Sequence, residues 1–359
     1  MSGVVIFGYY GQGNLGDETN LRHLVDLIRK IDYSLPITII TAQPEETADR
    51  LQLKTIEKFD FIAMVLAFRE ADLLIGGGGS LFQDRTSLRS LLYYCALVLL
   101  AKLNQMKVFL YGQGVGPIRS WFGKRVAGLI LSTVDLITIR DRLSIISLAE
   151  LNVRKPEVHF TAEPLLLAEP AGQDRIIAFW NRFETSKPLR LGLIIFENDT
   201  LRTNFWNQIL DCLNWAQRVE LYFLPTTKSD SDSLQRFGLN FNITILPTES
   251  SWEQLQAAIG GLDLVVSMRL HGLVAAVVQG IPCYGLGIDP KIEGFCLQIG
   301  VPFQFITSET DCVTLCNRIL GYLYQPLAER KPWQTQLRIW KARAVENQII
   351  LQQFIKKRL

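Results

Sequence analysis

Residues 264–295 have the sequence LVVSMRLHGLVAAVVQGIPCYGLGIDPKIEGF, which contains the pattern of a strand, a helix and a second strand. The apolar run that begins after Asp263 predicts a buried strand, and residues 273–278 predict a buried helix. Residues 280–282, Gly-Ile-Pro, end that helix, and residues 283–287 predict the next strand. This order of elements is typical of a parallel sheet in an α/β fold.

Arg269 and His271 follow the first of these strands, one residue apart. In open α/β sheets, ligands bind at the carboxyl ends of strands, beside helix N-termini that favour anions. The two side chains therefore predict an anion-binding site. A purely structural salt bridge and hydrogen bond would explain the same residues, and the sequence leaves both interpretations open.

The alternation of strands and helices continues in both halves of the chain, which predicts two doubly wound Rossmann-like domains facing a cleft, with a C-terminal helix. A proline-rich stretch of mixed polarity separates the halves. We expect an N-terminal domain at 1–165, a linker at 166–190, a C-terminal domain at 191–325 and a helical tail at 326–359.

Composition argues against several classes of protein. The formal net charge is only +2, and no basic run interleaved with aromatic residues indicates nucleic-acid binding. The six cysteines form no CxxC pair, so neither a disulfide framework nor a zinc site is expected. The apolar run 91–103 is too short to span a bilayer, and no signal peptide is evident, so we predict a cytoplasmic protein.

The first glycine-rich loop contains Gly11, Gly13 and Gly16, which match GxGxxG after a strand. A dinucleotide site also needs an acid at the end of the second strand, and none occurs there before Glu45. We therefore favour a turn that lets a ligand approach the backbone, with Asn14 and Asp17 as its polar groups.

Four more glycines, residues 76–79, follow the strand at 73–75. We expect no packing function for them, so the backbone N–H groups of Gly77 and Gly78 would line an anion or sugar pocket, although a flexible turn is an alternative. Arg140 and Asp141 likewise follow the strand at 136–139, where they would bind a ligand or simply cap the next helix.

Two further segments have competing interpretations. The sequence Asp-Ser-Asp at 230–232 resembles a metal-binding pair, but such loops are more often turns, and we predict no metal site. The tail from residue 327 is a basic amphipathic helix. It would either pack on the domains, which we favour, or make peripheral contact with a membrane.

The motifs, taken in order, resemble the polysaccharide pyruvyl transferases, most closely the bacterial branch that modifies cell-surface polysaccharide. They include GYYG at 8–11, GGGGSLFQD at 76–84, YGQGVGP at 111–117 and MRLH at 268–271. The other matching segments are 14–18, 72, 86–87, 89–90, 93–94, 140–141 and 289–291. Glu163 departs from the pattern, because the family usually carries Asp there.

The resemblance implies a GT-B-like fold and a reaction without a cofactor. The enolpyruvyl group of phosphoenolpyruvate would be transferred onto two hydroxyls of a sugar in a cell-surface polysaccharide or its precursor, forming a pyruvate ketal and releasing phosphate. Phosphoenolpyruvate carries two anionic groups, so guanidinium groups suit it, and protonation at C3 requires an acid. We assign Arg269 and Arg140 to the anions, Lys291 to the same donor side, and His271 to the proton. The acceptor-side residues are Asn14, Asp17, Gly77, Gly78, Gln83 and Asp84, and one of these acids would be the base.

Two other functions compete with this one. A GT-B glycosyltransferase with a nucleotide sugar would release a nucleoside diphosphate instead of inorganic phosphate. A non-catalytic sugar-binding protein would be expected to lack Arg269 or His271, and both are present. The expected partners are phosphoenolpyruvate and a saccharide acceptor, and a lipid-linked acceptor would place the enzyme at the inner face of the membrane.

Overall fold

The computed structural model describes residues 3–184, 188–195, 203–227, 230, 242–248, 251–287, 289–307 and 309–357. The chain forms two compact units. Unit 1 comprises Met1–Leu165 together with Trp340–Leu359, and unit 2 comprises Leu166–Ile339.

Unit 1 is built on a parallel sheet. Its strands are β1 (Val4–Phe7), β2 (Ile37–Thr41), β3 (Lys54–Glu57), β4 (Leu73–Gly76), β5 (Gly79–Phe82), β6 (Lys107–Val115), β7 (Leu136–Ile139) and β8 (Glu157–Phe160). They lie in the order β3-β2-β1-β4-β6-β7-β8, and β5 pairs with the end of β6. The sheet therefore grows in one direction from β1 to β3 and in the other from β4 to β8. Ligands bind to doubly wound sheets where that direction reverses.

Helices cover both faces of this sheet. They are α1 (Leu15–Ile31), α2 (Pro44–Leu51), α3 (Phe61–Glu70), α4 (Leu88–Leu103), α5 (Trp121–Leu131) and α6 (Arg142–Glu150). Residues of α3, α4, α5 and α6 share one hydrophobic core with one face of the strands. Residues of α1 form the core on the opposite face.

Unit 2 repeats the plan on a second parallel sheet. Its strands are β9 (Leu189–Ile194), β10 (Val219–Phe223), β11 (Ile243–Ile245), β12 (Leu264–Ser267), β13 (Cys283–Gly287) and β14 (Phe303–Phe305), in the order β11-β10-β9-β12-β13-β14. Its helices are α7 (Gln173–Trp180), α8 (Thr203–Asn214), α9 (Trp252–Gly260), α10 (Leu270–Gln279), α11 (Pro290–Ile299) and α12 (Cys312–Tyr324). The predicted α/β fold with two doubly wound sheets is confirmed.

The stretch predicted as a linker, 166–190, contains α7 and the start of β9. The indole N–H of Trp180 donates to the carbonyl of Ala258 at 3.1 Å, so α7 is fixed to α9. This stretch belongs to unit 2.

The predicted tail, 326–359, contains one long helix, α13 (Gln334–Lys356), whose residues from Trp340 onward belong to unit 1. Its buried residues are Trp340, Ala344, Asn347, Leu351 and Ile355. Leu351 and Ile355 complete the same core as α1. The apolar side of this helix is thus packed against protein. Among the described residues, no helix is both long and apolar enough to cross a membrane.

Asn347 attaches α13 to the segment that follows β8. Its amide nitrogen donates to the carbonyl of Ala162 at 2.8 Å, and its amide oxygen accepts the hydroxyl of Thr161 at 2.8 Å. The Asn347 side chain is fully buried, so no solvent replaces these bonds when they are lost.

We expect Asn347→Ala to lower the free energy of unfolding of unit 1 by about 1–3 kcal/mol, because it leaves the buried Ala162 carbonyl without this donor. Urea unfolding followed by circular dichroism would measure the change. Glu346→Ala, at the exposed neighbouring position, is the control. If the two variants were equally stable, the hydrogen bonds of Asn347 would not contribute to the stability of unit 1.

Candidate functional site

A cluster of polar side chains occupies the carboxyl edge of the unit 1 sheet. Arg140 follows β7, Glu163 follows β8, Ser80 lies in β5, and Asp17 and Asn20 come from the start of α1. Because all the strands are parallel, these residues reach the same edge from distant parts of the sequence.

The centre of the cluster is a buried ion pair between Arg140 and Glu163. Their side chains are only 6% and 3% exposed. Arg140 Nη2 also donates to the hydroxyl of Ser80 at 3.0 Å, and the amide of Asn20 donates to Glu163 Oε1 at 3.3 Å. The pair therefore links β5, β7, α1 and the segment after β8.

Burial alone would lower the pKa of Arg140, but the carboxyl groups of Glu163, Asp141 and Asp17 together raise it. Asp141 meanwhile caps α6 by accepting the backbone N–H and the hydroxyl of Ser144, at 2.8 and 2.9 Å. One guanidinium thus stands among three carboxyl groups. Such a set favours hydroxyl-bearing ligands over a further anion.

The glycines after β4 make room for this cluster. A Cβ atom at Gly77 would lie 1.7 Å from the hydroxyl oxygen of Tyr10, and one at Gly78 would lie 3.1 Å from the amide carbon of Asn20. One at Gly79 would lie 3.1 Å from Asp17 Oδ1, and its φ of +131° also requires glycine. The expectation that these glycines have no packing function is therefore wrong.

The backbone of Gly77 is not bare either, because its N–H donates to the carbonyl of Phe7 at 2.9 Å. Its carbonyl accepts the side-chain amide of Gln113.

Three buried polar atoms around these glycines have no hydrogen-bond partner among the described residues: the hydroxyl of Tyr10 and the side-chain oxygens of Asn20 and Gln113. Burial, with the carboxyl groups of Asp17 and Glu18 nearby, raises the pKa of Tyr10, so its hydroxyl keeps its proton. Buried polar atoms normally have partners, and a bound water or ligand would supply them here.

The other polar residues predicted for the acceptor side accept hydrogen bonds from backbone N–H groups. Asn14 caps α1, and its side-chain oxygen accepts the N–H of Gly16 at 3.1 Å. Gln83 closes a turn through the N–H of Arg85 at 2.7 Å. Asp84 accepts the N–H groups of Arg119 and Ser120, at 2.8 and 2.7 Å. Of the predicted polar residues, Asp17 and Arg140 are those that the structure brings into the cluster.

A second group of predicted residues lies at the carboxyl edge of the unit 2 sheet. Arg269 follows β12 and occupies the N-cap position of α10, and His271 is in the first turn of that helix. Lys291 is in the first turn of α11, which follows the neighbouring strand β13 and is capped by Asp289 through the Lys291 N–H at 3.0 Å. Two helix N-termini and two cationic side chains at one edge suit an anionic ligand.

Asp230 fixes the direction of Arg269. Its Oδ1 accepts Arg269 Nη2 at 2.5 Å, and its Oδ2 accepts the backbone N–H groups of Thr226 and Thr227, each at 3.0 Å. The side chain of Asp230 is 3% exposed and that of Arg269 is 30% exposed. Asp230 therefore holds the guanidinium from within the protein, and part of the Arg269 side chain is exposed to solvent.

The turn predicted around Asp230 agrees with these bonds, although residues 231 and 232 lie outside the described residues. In the part of the chain that the structure describes, no group of His, Cys, Asp or Glu side chains is arranged to hold a metal ion.

Sequence reasoning missed several members of both groups. Asn20 lies one helical turn after Asp17, a spacing that could have indicated it. The contacts of Tyr10, Gln113 and Asp230 join segments far apart in the chain, and no local pattern predicts them.

Comparison with known proteins adds the following. The family model described as polysaccharide pyruvyl transferase matches residues 14–290. The amylovoran biosynthesis protein AmsJ of Erwinia amylovora is 21% identical over 369 residues, which cover 83% of this chain and 86% of that protein.

Among solved structures, HepE of Anabaena in complex with UDP-glucose has a TM-score of 0.68 at 12% identity and covers 99% of both chains. The UDP-GlcNAc 2-epimerase of Methanocaldococcus jannaschii has a TM-score of 0.61 at 12% identity, covering 95% of this chain and 99% of that one. At these identities the likeness shows the fold alone, and that fold is GT-B-like, as predicted.

We expect Glu163→Gln to destabilise unit 1 by about 3 kcal/mol, because it removes the main counter-charge of a buried guanidinium. Thermal and urea unfolding would measure the loss. Glu163→Asp is the matched control, because it keeps the charge and should cost less. A Gln variant as stable as the Asp variant would show that Asp17 and Asp141 suffice to balance Arg140.

Proposed function

Because this chain belongs to the polysaccharide pyruvyl transferase family, we propose that it transfers the enolpyruvyl group of phosphoenolpyruvate onto two hydroxyls of a saccharide. The product is a pyruvate ketal, and inorganic phosphate is released. The saccharide belongs to a cell-surface polysaccharide or its precursor, and the reaction needs no cofactor.

The observation that carries the proposal is the arrangement of Arg269 at the N-terminus of α10. Its guanidinium is a planar fork of five N–H donors that matches the geometry of an oxyanion, and the ion pair with Asp230 fixes the direction of that fork. His271 is two residues further along the same helix, and Lys291 starts the helix after the neighbouring strand. The phosphate and carboxylate of phosphoenolpyruvate suit these groups.

The proposed chemistry starts with a proton on His271. The imidazolium transfers this proton to C3 of phosphoenolpyruvate, which converts the methylene into a methyl group and makes C2 electrophilic. One saccharide hydroxyl adds to C2 and gives up its proton to a carboxylate. A second hydroxyl then displaces the phosphate from C2, which closes the ketal, and its proton passes to the neutral imidazole of His271, which restores the starting acid.

The acceptor side belongs to unit 1 in this proposal. Asp17 is the base that we favour, because it lies beside the buried oxygens of the cluster, whereas both oxygens of Asp84 hold backbone N–H groups. The family resemblance assigns Arg140 to the donor. Its ion pair with Glu163 favours a different role, in which it holds the acceptor-side cluster together.

The glycosyltransferase alternative has support from one finding, the likeness of fold to HepE bound to UDP-glucose. A glycosyltransferase would release a nucleoside diphosphate, whereas the pyruvyl transferase would release inorganic phosphate. Titration with a UDP-sugar and with phosphoenolpyruvate separates the two proposals.

We expect phosphoenolpyruvate to bind the purified protein in calorimetric titration, and Arg269→Ala to weaken this binding about 10- to 100-fold, the effect of losing a charge-assisted contact. Arg338→Ala, an exposed arginine of unit 2, is the control and should bind like the wild type. Binding of a UDP-sugar instead of phosphoenolpyruvate would favour the glycosyltransferase.

With an acceptor on which the wild type releases phosphate from phosphoenolpyruvate, His271→Gln should lower kcat about 10²- to 10⁴-fold, the usual contribution of a general acid. Donor affinity should change much less, because Arg269 remains. Near-normal turnover by the variant would remove His271 from the proton transfer.

A further inference from the structure

The outer side of α4 is apolar where a surface helix is normally polar. Its inward residues, such as Leu91 and Val98, belong to the core of unit 1. Its outward positions carry Ala96, Leu99 and Leu103, all exposed. A helix that is apolar on every side is expected to have a partner on its outer side.

The two neighbouring helices continue this apolar surface. Helix α3 exposes Ile62 and Leu66, and α5 exposes Trp121, Phe122 and Leu129. All three helices pack on the same face of the sheet through one core, and α4 packs against both of its neighbours. Their exposed side chains therefore form one surface, which we call the α3–α5 face: Ile62, Leu66, Leu99, Leu103, Trp121, Phe122 and Leu129. Contiguous exposed apolar surface of this kind marks interaction sites.

The charge of the same part of the chain is strongly positive. Between Asp84 and Asp135 the sequence contains no Asp or Glu. It contains seven basic residues there: Arg85, Arg89, Lys102, Lys107, Arg119, Lys124 and Arg125. The formal net charge of the whole chain is only +2, so this excess is local.

Part of that charge is balanced by residues outside the segment. Lys102 and Lys107 form ion pairs with Asp135, at 2.7 and 2.9 Å. Arg89, Arg119 and Arg125, by contrast, are exposed. Arg89 is in the first turn of α4, Arg119 lies just before the N-cap of α5, and Arg125 is in the second turn of α5.

We propose that the α3–α5 face docks on the surface of an anionic lipid bilayer. Leucine, isoleucine and phenylalanine side chains would enter the boundary between headgroups and acyl chains, and Trp121 would lie at the interface, where tryptophan is enriched. The exposed arginines would attract the anionic headgroups. A second copy of the chain would suit the apolar side chains but not this excess of like charge.

This face differs from the membrane contact predicted for the basic helix near residue 340. The largest apolar side chains of α13, such as Trp340 and Leu351, are buried in the protein. The apolar side chains of the α3–α5 face are exposed. Trp121 and Arg89 are also at the helix ends nearest the carboxyl edge of the sheet, the edge that carries Asp17 and Glu163. If the proposed function holds, docking of the α3–α5 face would bring this edge close to a lipid-linked saccharide acceptor. Only this link to the acceptor rests on the proposed function.

The test is co-sedimentation of the full chain with vesicles of phosphatidylcholine, with or without phosphatidylglycerol. We expect binding that is markedly stronger with phosphatidylglycerol. The triple variant Leu103→Gln, Trp121→Ser, Leu129→Gln should bind at least about a hundredfold more weakly, because three apolar anchors are lost. The matched control, Trp215→Ser with Leu297→Gln, removes side chains that are 85% and 75% exposed elsewhere and should bind like the wild type.

A charge variant tests the second part of the proposal. Arg89→Gln with Arg125→Gln should weaken binding to phosphatidylglycerol vesicles roughly fivefold for each charge. Arg154→Gln with Lys155→Gln, both exposed, is its control.

Absence of vesicle binding, or equal binding by the triple variant and its control, would overturn the proposal. So would a wild-type dimer in analytical ultracentrifugation that the triple variant converts to monomer, because a second copy would then cover the face. Phosphoenolpyruvate titration of the wild type is a separate measurement. Absence of phosphoenolpyruvate binding there would refute the proposed function and leave the vesicle result standing.

Discussion

The ion pair between Arg140 and Glu163 is the contact on which the edge of unit 1 depends. A buried guanidinium without a counter-charge would be costly, so the two residues must be positioned together. Asn20 and Ser80 bond to the same pair and bring α1 and β5 to it. The segment just before Glu163 is in turn held by α13. Elements from both ends of the described chain thus converge on one pair of charges.

The two units have the same architecture, but the carboxyl edge of the sheet is rich in carboxyl groups in unit 1 and in cationic groups in unit 2. At the carboxyl edge of unit 1, one guanidinium is surrounded by carboxyl groups and by buried oxygens. At the same edge of unit 2, Arg269, His271 and Lys291 accompany two helix N-termini, with Asp230 orienting the arginine. Residues at strand ends do not alter the core, so such differences can arise without changing the fold.

The sequence predicts most of the fold. For the site, it predicts which residues lie at the strand ends but not which residues they contact. Apolar strands alternating with helices identify two parallel sheets, and the residues at strand ends are then known from topology alone. The pairing of Arg140 could not be predicted, because Glu163 follows a different strand. The packing of the glycines at 76–79 could not be predicted for the same reason, since Tyr10, from the loop before α1, and Asn20, from α1, fill the space beside them. For α13, the amphipathic pattern is the same whether a helix packs on protein or on lipid.

The division of the chain has a consequence for its synthesis. Unit 2 is inserted between the two segments of unit 1, so the ribosome releases all of residues 166–339 before the segment at 340–359. Chains emerge at about 5–20 residues per second, which gives unit 2 time to fold first. Until α13 arrives, the core side that Leu351 and Ile355 complete is open, and the nascent first segment exposes apolar surface. Chaperone demand during translation is therefore expected to be greatest for the half of the protein that is made first.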